Sequence, residues 1–227
     1  MDEEDNYKQI NVKNIARDNI NLEKSDLENI KVLERTIAFS DGVFAFAITL
    51  LIVDIQLPAV ASENNLGFIL ISLWPNYLAF VISFFVISLY WLAHVRLFRK
   101  IKRCNRNLMW LNLFQLLFIV IIPFTTSVMS RNLCQLSVII YAFFMACAGY
   151  MSTILRFYAT HNHRLVDEKY SSKDIKIEII LSLLAPICFT ISIWIAFFNF
   201  FLAQLSWISW IIPRVIIQRI FKHKDPL

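Results

Sequence analysis

The chain has 227 residues, of which 58% are hydrophobic and 15% aromatic; it contains three glycines and carries a net charge of +5. Soluble globular domains are nearer half apolar, and no soluble core accounts for so many long apolar runs, so we expect a polytopic membrane protein of one domain. The four cysteines show no paired spacing, which indicates reduced thiols and neither a disulfide framework nor a zinc site.

Residues 1–34 are polar and carry many charges of both signs. They lack the positively charged region, short apolar stretch and small-residue cleavage site of a signal peptide, so we predict a cytoplasmic N-terminal tail. Within this tail, residues 22–33 have some helical periodicity. That segment is either an amphipathic lead-in to the first membrane span or part of a solvated tail.

Six apolar stretches follow, and each is long enough to cross a bilayer as a helix. They predict an all-α membrane protein with six transmembrane helices in one domain, residues 35–218, followed by a cytoplasmic C-terminal tail, residues 219–227. The predicted spans are 36–57, 70–95, 108–128, 136–157, 177–198 and 201–218.

Basic residues lie in alternate connecting segments. Lys and Arg are frequent after the second span, after the fourth span and in the C-terminal tail, whereas residues 58–69 contain none and residues 129–135 contain only Arg131. The positive-inside rule therefore predicts a multi-pass protein of the cell membrane with both termini in the cytoplasm. This placement explains the net charge without nucleic acid, and anionic lipid head groups are the partner that such loops attract. Trp74 and Trp207 lie near the ends of predicted spans, as interfacial aromatics do.

The first span, from Arg35 to Leu57, has ionisable residues near both ends. Arg35 and Asp41 lie at the inner end and Asp54 at the outer end. Such groups are costly in a bilayer unless each has a protein partner or water. Arg35 and Asp41 are six positions apart and cannot pair along one helix face, so we expect each to find its partner on another helix.

His94 ends the second span at the depth of Asp41, with Trp91 one turn deeper. We expect Arg35, Asp41 and His94 to form a buried network, which Ser40 joins through its hydroxyl. One interpretation of this network is a polar brace between the first two helices. The other is a proton relay or pH sensor built on His94.

Neither catalytic nor metal chemistry is expected. A hydrolase triad of Ser40, Asp41 and His94 is disfavoured, because adjacent helix residues diverge by about 100° and no Gly-x-Ser-x-Gly elbow is present. His161 and His163 have no carboxylate or Cys at ligand spacing, so we predict no metal site and no cofactor.

One narrow stripe of the first span is apolar except for a hydroxyl. Its members are Phe46, Thr49, Leu50 and Val53. Phe39 and Leu57 extend the stripe, Asp54 borders its outer end, and Asp41 points to nearly the opposite side. On composition alone, the commoner interpretation of such a stripe is a face that contacts lipid or packs in the core.

The run from Arg35 to Asp41 reads Arg-x-x-x-Phe-Ser-Asp and continues with Gly-Val-Phe-Ala-Phe-Ala-Ile-Thr-Leu-Leu-Ile-Val-Asp-Ile. It closely resembles the first-helix signature of the transmembrane protein 175 potassium channels, and most of all their prokaryotic branch, which has one six-helix repeat per chain. Trp91 and His94 match the Trp-x-x-His element of that family. The resemblance covers most of residues 33–218.

This resemblance implies that four copies of the chain surround a pore lined by the first helix. It also implies that Phe46, Leu50 and Val53 form the apolar constriction, with Phe46 standing where Ile or Leu is usual. Thr49 matches a hydroxyl-bearing position linked to selectivity. In that family the residues of the Arg-x-x-x-Phe-Ser-Asp run hold the helix bundle and the subunit contacts in register, so the resemblance implies the same role for this run, Phe39 included, and favours the brace.

The predicted function is a homotetrameric, passive channel that conducts K⁺ and other monovalent cations and favours potassium. No Thr-Val-Gly-Tyr-Gly filter is present, so selection is assigned to the constriction and the Thr49 dipoles, while Asp54 is expected to concentrate cations at the outer mouth. The alternatives are a proton-coupled secondary transporter or proton-conducting protein that uses Asp41 and His94, and a non-conducting membrane scaffold.

Overall fold

The computed structural model describes residues 2–53, 55–57, 66–167, 170–207 and 209, with side chains described for Lys24 and from Leu27 onward within these ranges. The described part is helical apart from one isolated antiparallel bridge, which confirms the predicted all-α class. Five helical segments in it are long and apolar enough to cross a membrane. They are Leu27–Val53, Trp74–Phe98, Arg106–Arg131, Gln135–His163 and Ser172–Phe198.

Within the described residues, seven α-helices follow one another. They are α1 (Asp2–Val53), α2 (Leu66–Ser72), α3 (Trp74–Phe98), α4 (Arg106–Arg131), α5 (Gln135–Thr160), α6 (Ser172–Phe198) and α7 (Phe200–Ser206). Polar residues cap two of the long helices at their first turn: the Asn105 side chain accepts from the Leu108 amide at 2.9 Å, and the Ser171 hydroxyl accepts from the Lys173 amide.

Helix α1 differs from the prediction at both ends. Residues 2–34, predicted as a tail, are helical and continue without a break into the first span. At the other end the helix stops at Val53, before the predicted end at Leu57, and the Ile55 amide donates to the carbonyl three residues earlier at 3.1 Å. Pro58 follows Leu57 in the sequence, and a residue that precedes proline is disfavoured in helical geometry, which explains why Leu57 itself lies outside the helix.

The second predicted span, 70–95, consists of two helices. Short α2 ends at Ser72, and Leu73 separates it from α3. Pro75 occupies the first turn of α3, where its missing amide hydrogen costs nothing but where it cannot continue a preceding helix. The break therefore comes from the position of Pro75.

The sixth predicted span, 201–218, is described only through α7. Positions 208 and 210–218 of that span, and the predicted tail 219–227, lie outside the described residues. The chain reverses between α6 and α7 at Asn199, whose side chain accepts hydrogen bonds from the amides of Phe201 and Leu202. A short turn near Asn199 is what the sequence predicts.

Trp207 is buried against α6 instead of lying at a membrane interface, so that prediction is wrong. Its indole N–H donates to the Ser192 hydroxyl at 2.7 Å, and its ring packs against Tyr141 and Phe189. A buried partner for the polar edge of the indole removes the reason for it to reach toward water.

Helix α5 lies at the centre of the bundle and packs against α4 and α6. Tyr141, Met145 and Ala148 on this helix are completely buried. At Gly149 the approach to α6 is so close that an added Cβ would lie 2.9 Å from Cβ of Pro186. Glycine is therefore required there by the proline ring on the neighbouring helix.

A second apolar cluster, the loop cluster, joins the α3–α4 connection to the segment after α5. Its buried members are Leu97, Phe98, Ile101, Leu108, Leu155, Ala159, Leu165 and Val166. The two connections meet through the antiparallel bridge between Ile101 and Val166. Leu33 and Ile37 of α1 pack against this cluster, so α1 is held here as well as within the bundle.

Replacing Gly149 with Ala is expected to lower the thermal unfolding midpoint, because the Pro186 ring cannot give way without moving α6. Overpacking of this kind costs roughly 1–3 kcal/mol. The measurement is thermal unfolding of the purified protein in detergent. Gly67→Ala is the matched control, since nothing lies within 4 Å of a Cβ placed there. Equal midpoints for Gly149→Ala and the native protein would contradict the close contact.

Candidate functional site

Helix α1 has a buried face and an exposed face. The buried face, turned toward α3 and α4, includes Phe44 and Ala47, which are 1% and 0% exposed. On the other side, Phe39, Phe46 and Val53 are 56%, 60% and 63% exposed. These three are spaced by seven residues, about two helical turns, so they form one apolar stripe along the outside of the chain. Phe39, predicted to extend this stripe and also grouped with the residues that hold the bundle in register, lies on the exposed stripe.

The other residues predicted for this face differ in their placement. Thr49 is exposed beside the stripe, and its hydroxyl donates to the Phe46 carbonyl at 2.8 Å. Because the hydroxyl proton is used within the helix, the lone pairs of the oxygen remain free to face a cation. Leu50 is half-buried at the border of the two faces. Asp54 lies outside the described residues.

The Asn112 side chain connects three helices. Its amide nitrogen, on α4, donates to the Ser40 hydroxyl on α1 at 2.8 Å, and its amide oxygen is 2.8 Å from Nε2 of His94 on α3. The Ser40 hydroxyl donates in turn to the Thr36 carbonyl at 2.8 Å. Ser40, Asn112 and His94 are at most 1% exposed, so this chain of hydrogen bonds lies entirely in the interior.

This chain of hydrogen bonds also sets the tautomer of His94. The amide oxygen of Asn112 can only accept, so Nε2 of His94 carries a proton. The ring stacks on Phe98 with centroids 4.1 Å apart and lies 5.5 Å from the Phe44 ring. Nδ1 has no hydrogen-bond partner among the described residues. These surroundings suit a neutral imidazole that is fixed in orientation.

Asp41 has a different partner. Its Oδ1 accepts from the indole N–H of Trp91 at 2.8 Å. The predicted common network of Arg35, Asp41 and His94 is therefore divided: Ser40 reaches His94 through Asn112, and Asp41 pairs with Trp91. The reason is geometric, because adjacent residues on a helix diverge by about 100°. Arg35 is exposed and makes no hydrogen bond or ion pair with another described residue.

Asn112 is not among the predicted site residues, although the sequence contains a signal for it. It is one of two amides, with Gln115, within the apolar run 108–128. In a bilayer such a side chain needs a hydrogen-bond partner on another helix. That signal predicts a contact, but not which helices it joins.

Two histidines near the end of α5 are not joined by further metal-ligating side chains in the part of the chain that the structure describes. His161 and His163 lie in a short 3₁₀ turn, where Nδ1 of His163 is 3.4 Å from the Asp167 carbonyl. Across the described ranges, no three His, Cys, Asp or Glu side chains are placed to hold a metal ion.

Comparison with protein families matches residues 35–123 to the model described as "Endosomal/lysosomal potassium channel TMEM175". The resemblance predicted from the first two spans is therefore confirmed over this part of the chain. A potassium channel from Streptomyces collinus is 43% identical over 99 residues, and a potassium channel from Chamaesiphon minutus is 40% identical over 98 residues. These matches cover 44% and 42% of this chain and 48% of each relative, so the chain spans about half the length of the curated relatives it matches.

Solved structures extend the likeness to the fold. The crystal structure of a lysosomal potassium-selective channel TMEM175 homolog from Chamaesiphon minutus superposes with a TM-score of 0.70 at 25% identity, covering 82% of this chain and 98% of that chain. A variant of the potassium channel MtTMEM175 superposes with a TM-score of 0.62, covering 84% of this chain and 94% of that one. At 19% identity, this second likeness concerns the fold alone.

Replacing Asn112 with Leu is expected to destabilise the protein, because the Ser40 oxygen and Nε2 of His94 lose their shared partner. Each unsatisfied buried polar group costs roughly 1–3 kcal/mol. Thermal unfolding in detergent measures the loss. Asp41→Asn is the comparison variant and should be milder, since an amide oxygen still accepts from Trp91. A greater loss for Asp41→Asn would contradict the central place of Asn112.

Proposed function

We propose that this chain is a single-repeat member of the TMEM175 family and forms a passive, potassium-favouring channel for monovalent cations in the cell membrane. Such a protein conducts ions and is not an enzyme. The observation that carries the proposal is the exposed apolar stripe on α1, which lies within residues 35–123, the part matched by the family. The bacterial relatives are potassium channels, which supports the choice of ion.

The pore is formed by α1 from four copies of the chain, with Phe46, Leu50 and Val53 as its constriction. Phe46 and Val53 are free of contacts that would bury them within one chain, which supports their turning toward a shared axis. Leu50 is more buried and contributes from the border of the stripe. An apolar ring of this kind opposes ion entry by dewetting until it widens.

Selectivity is assigned to Thr49 and cation attraction to Asp54. The Thr49 hydroxyl donates to the helix, so its oxygen can present lone pairs to a permeating ion. Four such dipoles favour a cation over an anion and give a modest preference among cations. Asp54 follows the last residue of α1, and four carboxylates at that mouth would raise the local cation concentration.

The channel domain is residues 35–218, with six spans and both termini cytoplasmic. Five segments of the described chain are long and apolar enough to cross, and a sixth crossing at 201–218 returns the C-terminus to the side of the N-terminus. The basic segments 99–106 and 164–176 then face the cytoplasm. Anionic lipid of the inner leaflet is the surface that these connections contact.

The brace interpretation of the polar groups is preferred to a proton relay. Asp41 and His94 have separate partners, Trp91 and Asn112, so no hydrogen bond passes a proton from one to the other. Flux of potassium, sodium and protons, each measured alone in liposomes with purified protein, tests the proposal. Potassium flux without a proton gradient is expected. Flux that requires a proton gradient would indicate the transporter, and no flux would indicate the scaffold.

The pore face is tested by making the constriction wettable. Val53→Asn and Leu50→Asn are expected to raise basal potassium flux several-fold and to weaken selection, because water enters the ring in all four copies. Thr49→Val keeps the size of the side chain but removes the hydroxyl dipole, so the preference for potassium over sodium should fall. Liposome flux and reversal potentials measure both effects.

Ile52→Asn is the matched control for Val53→Asn. Ile52 is 53% exposed, close to the 63% of Val53, but points about 100° away around α1. It should leave the basal flux near that of the native protein. If Ile52→Asn opens the channel while Val53→Asn and Leu50→Asn do not, the pore face is misassigned.

Orientation is tested by Cys104 and Cys134, which flank α4 at its two ends. Burial raises the pKa of the Cys104 thiol, whereas hydrogen bonds from Ser137 lower the pKa of the exposed Cys134 thiol. Because the thiolate reacts, an impermeant maleimide should label Cys134 in intact cells already near neutral pH. Cys104 should be labelled only in inverted vesicles, and faster as the pH rises.

Cys134→Ser is the control for this labelling, since it should abolish the signal from intact cells. Labelling of Cys104 from the outside would contradict the placement of both termini in the cytoplasm.

A further inference from the structure

A buried arginine connects the ends of three helices beside the loop cluster. Arg156 on α5 is 6% exposed. Its Nη1 donates to Oε2 of Glu178 on α6 at 3.0 Å, and its Nη2 donates to the Ala93 carbonyl on α3 at 3.1 Å. The second carboxylate oxygen of Glu178 pairs with Lys100. None of these residues belongs to the exposed stripe of α1 or to the hydrogen bonds of Asn112.

The two contacts of Arg156 differ in what they require. An ion pair with Glu178 needs only a positive charge, which a lysine would also supply. Donating at the same time to a carbonyl on another helix needs the flat, forked guanidinium with several N–H groups. Burial of a charge is costly unless every contact is well placed, so the fork restricts where α3 can lie relative to α5 and α6.

The Ala93 carbonyl, which accepts from Arg156, is adjacent in sequence to His94, which is linked to α1 through Asn112. Ala93 directly precedes His94, whose Nε2 is bonded to Asn112, which is bonded to Ser40 of α1. A displacement of that turn of α3 therefore moves the imidazole relative to Asn112. The contacts are continuous from α6 through α5, α3 and α4 to α1.

We propose that Arg156 is a positioning residue that sets the place of α1 through Ala93 and His94, and so limits the resting conductance of the channel. The statement about conductance rests on the proposed function; the statement about position does not. Without the Ala93 contact, α1 is held less firmly and the dry constriction widens more often. Couplings of this type change an equilibrium by roughly two- to thirtyfold.

Arg156→Lys tests this most directly, because lysine keeps the charge for Glu178 but cannot also hold the Ala93 carbonyl. At equal amounts of assembled protein, it should raise basal potassium flux about two- to thirtyfold. Ser40→Ala, which cuts the same chain at α1, should raise the flux in the same direction. The double variant should equal the larger single effect, since both changes act along one path.

A gain of flux is a result that mere loss of structure does not produce. Multiplication of the two effects in the double variant, or unchanged or lower flux in Arg156→Lys, would overturn the proposal. If Arg156→Lys does not assemble, Glu178→Gln is used in its place. This substitution removes the negative charge that pairs with Arg156, so it should shift flux in the same direction. Lys102→Gln is the control: it breaks the exposed pair with Asp167 and should change nothing.

Hydrogen exchange separates this proposal from the proposed function. Arg156→Lys should speed amide exchange at residues 36–40 of α1 several-fold, as Ser40→Ala does, while Lys102→Gln should not. Exchange at 36–40 that stays native in Arg156→Lys overturns the positioning role, whether or not the protein conducts. Faster exchange in a protein that carries no flux would sustain the positioning role and reject the channel.

Discussion

The placement of the helices depends on one amide, that of Asn112. In a bilayer, apolar side chains give little preference for one helix rotation over another, because lipid is as apolar as leucine. Asn112 supplies that preference, since its nitrogen binds the Ser40 hydroxyl and its oxygen binds His94. Only one rotation of α1 brings Ser40 to the amide. Once Ser40 is directed inward, Phe46 and Val53 must lie on the outside of the chain, where the proposed pore requires them.

The buried polar contacts are neutral at one end of the bundle and charged at the other. Toward the end of the bundle opposite the loop cluster, Thr126 donates to the Ser83 hydroxyl at 2.8 Å, and Ser83 is 3.2 Å from the Tyr141 hydroxyl, so the contacts there are neutral. Beside the loop cluster, Arg156 and Glu178 carry full charges. This order follows the cost of desolvation, because a neutral hydroxyl needs one partner whereas an ion needs several contacts or nearby water.

The long apolar runs were sufficient to predict the all-α class and the approximate spans, and their periodicity placed Phe46 and Val53 on one stripe of α1. Composition left open whether that stripe contacts lipid or packs in the core, and only the family resemblance implied that it faces a pore. Hydrogen-bond partners on neighbouring helices could not be predicted from the sequence to the same extent. The sequence shows that Asp41 and His94 each need a partner, but Trp91 and Asn112 follow only from the relative rotation of α1, α3 and α4. For Arg35 the sequence predicted a partner on another helix, but the side chain is exposed. A charge near the end of a span does not have to pair within its own chain. Periodicity alone likewise does not show that Trp207 folds back onto α6.

The unbroken course of α1 has a mechanical consequence. At 1.5 Å per residue its 52 residues form a rod of about 78 Å, roughly twice what its membrane-spanning part needs. A continuous ladder of backbone hydrogen bonds has no joint in which a twist can be absorbed. Torque applied near Asp2 therefore reaches the turns that carry Phe46 and Val53. A contact made near Asp2, with a partner protein or with a membrane surface, would therefore act on those turns through the helix itself.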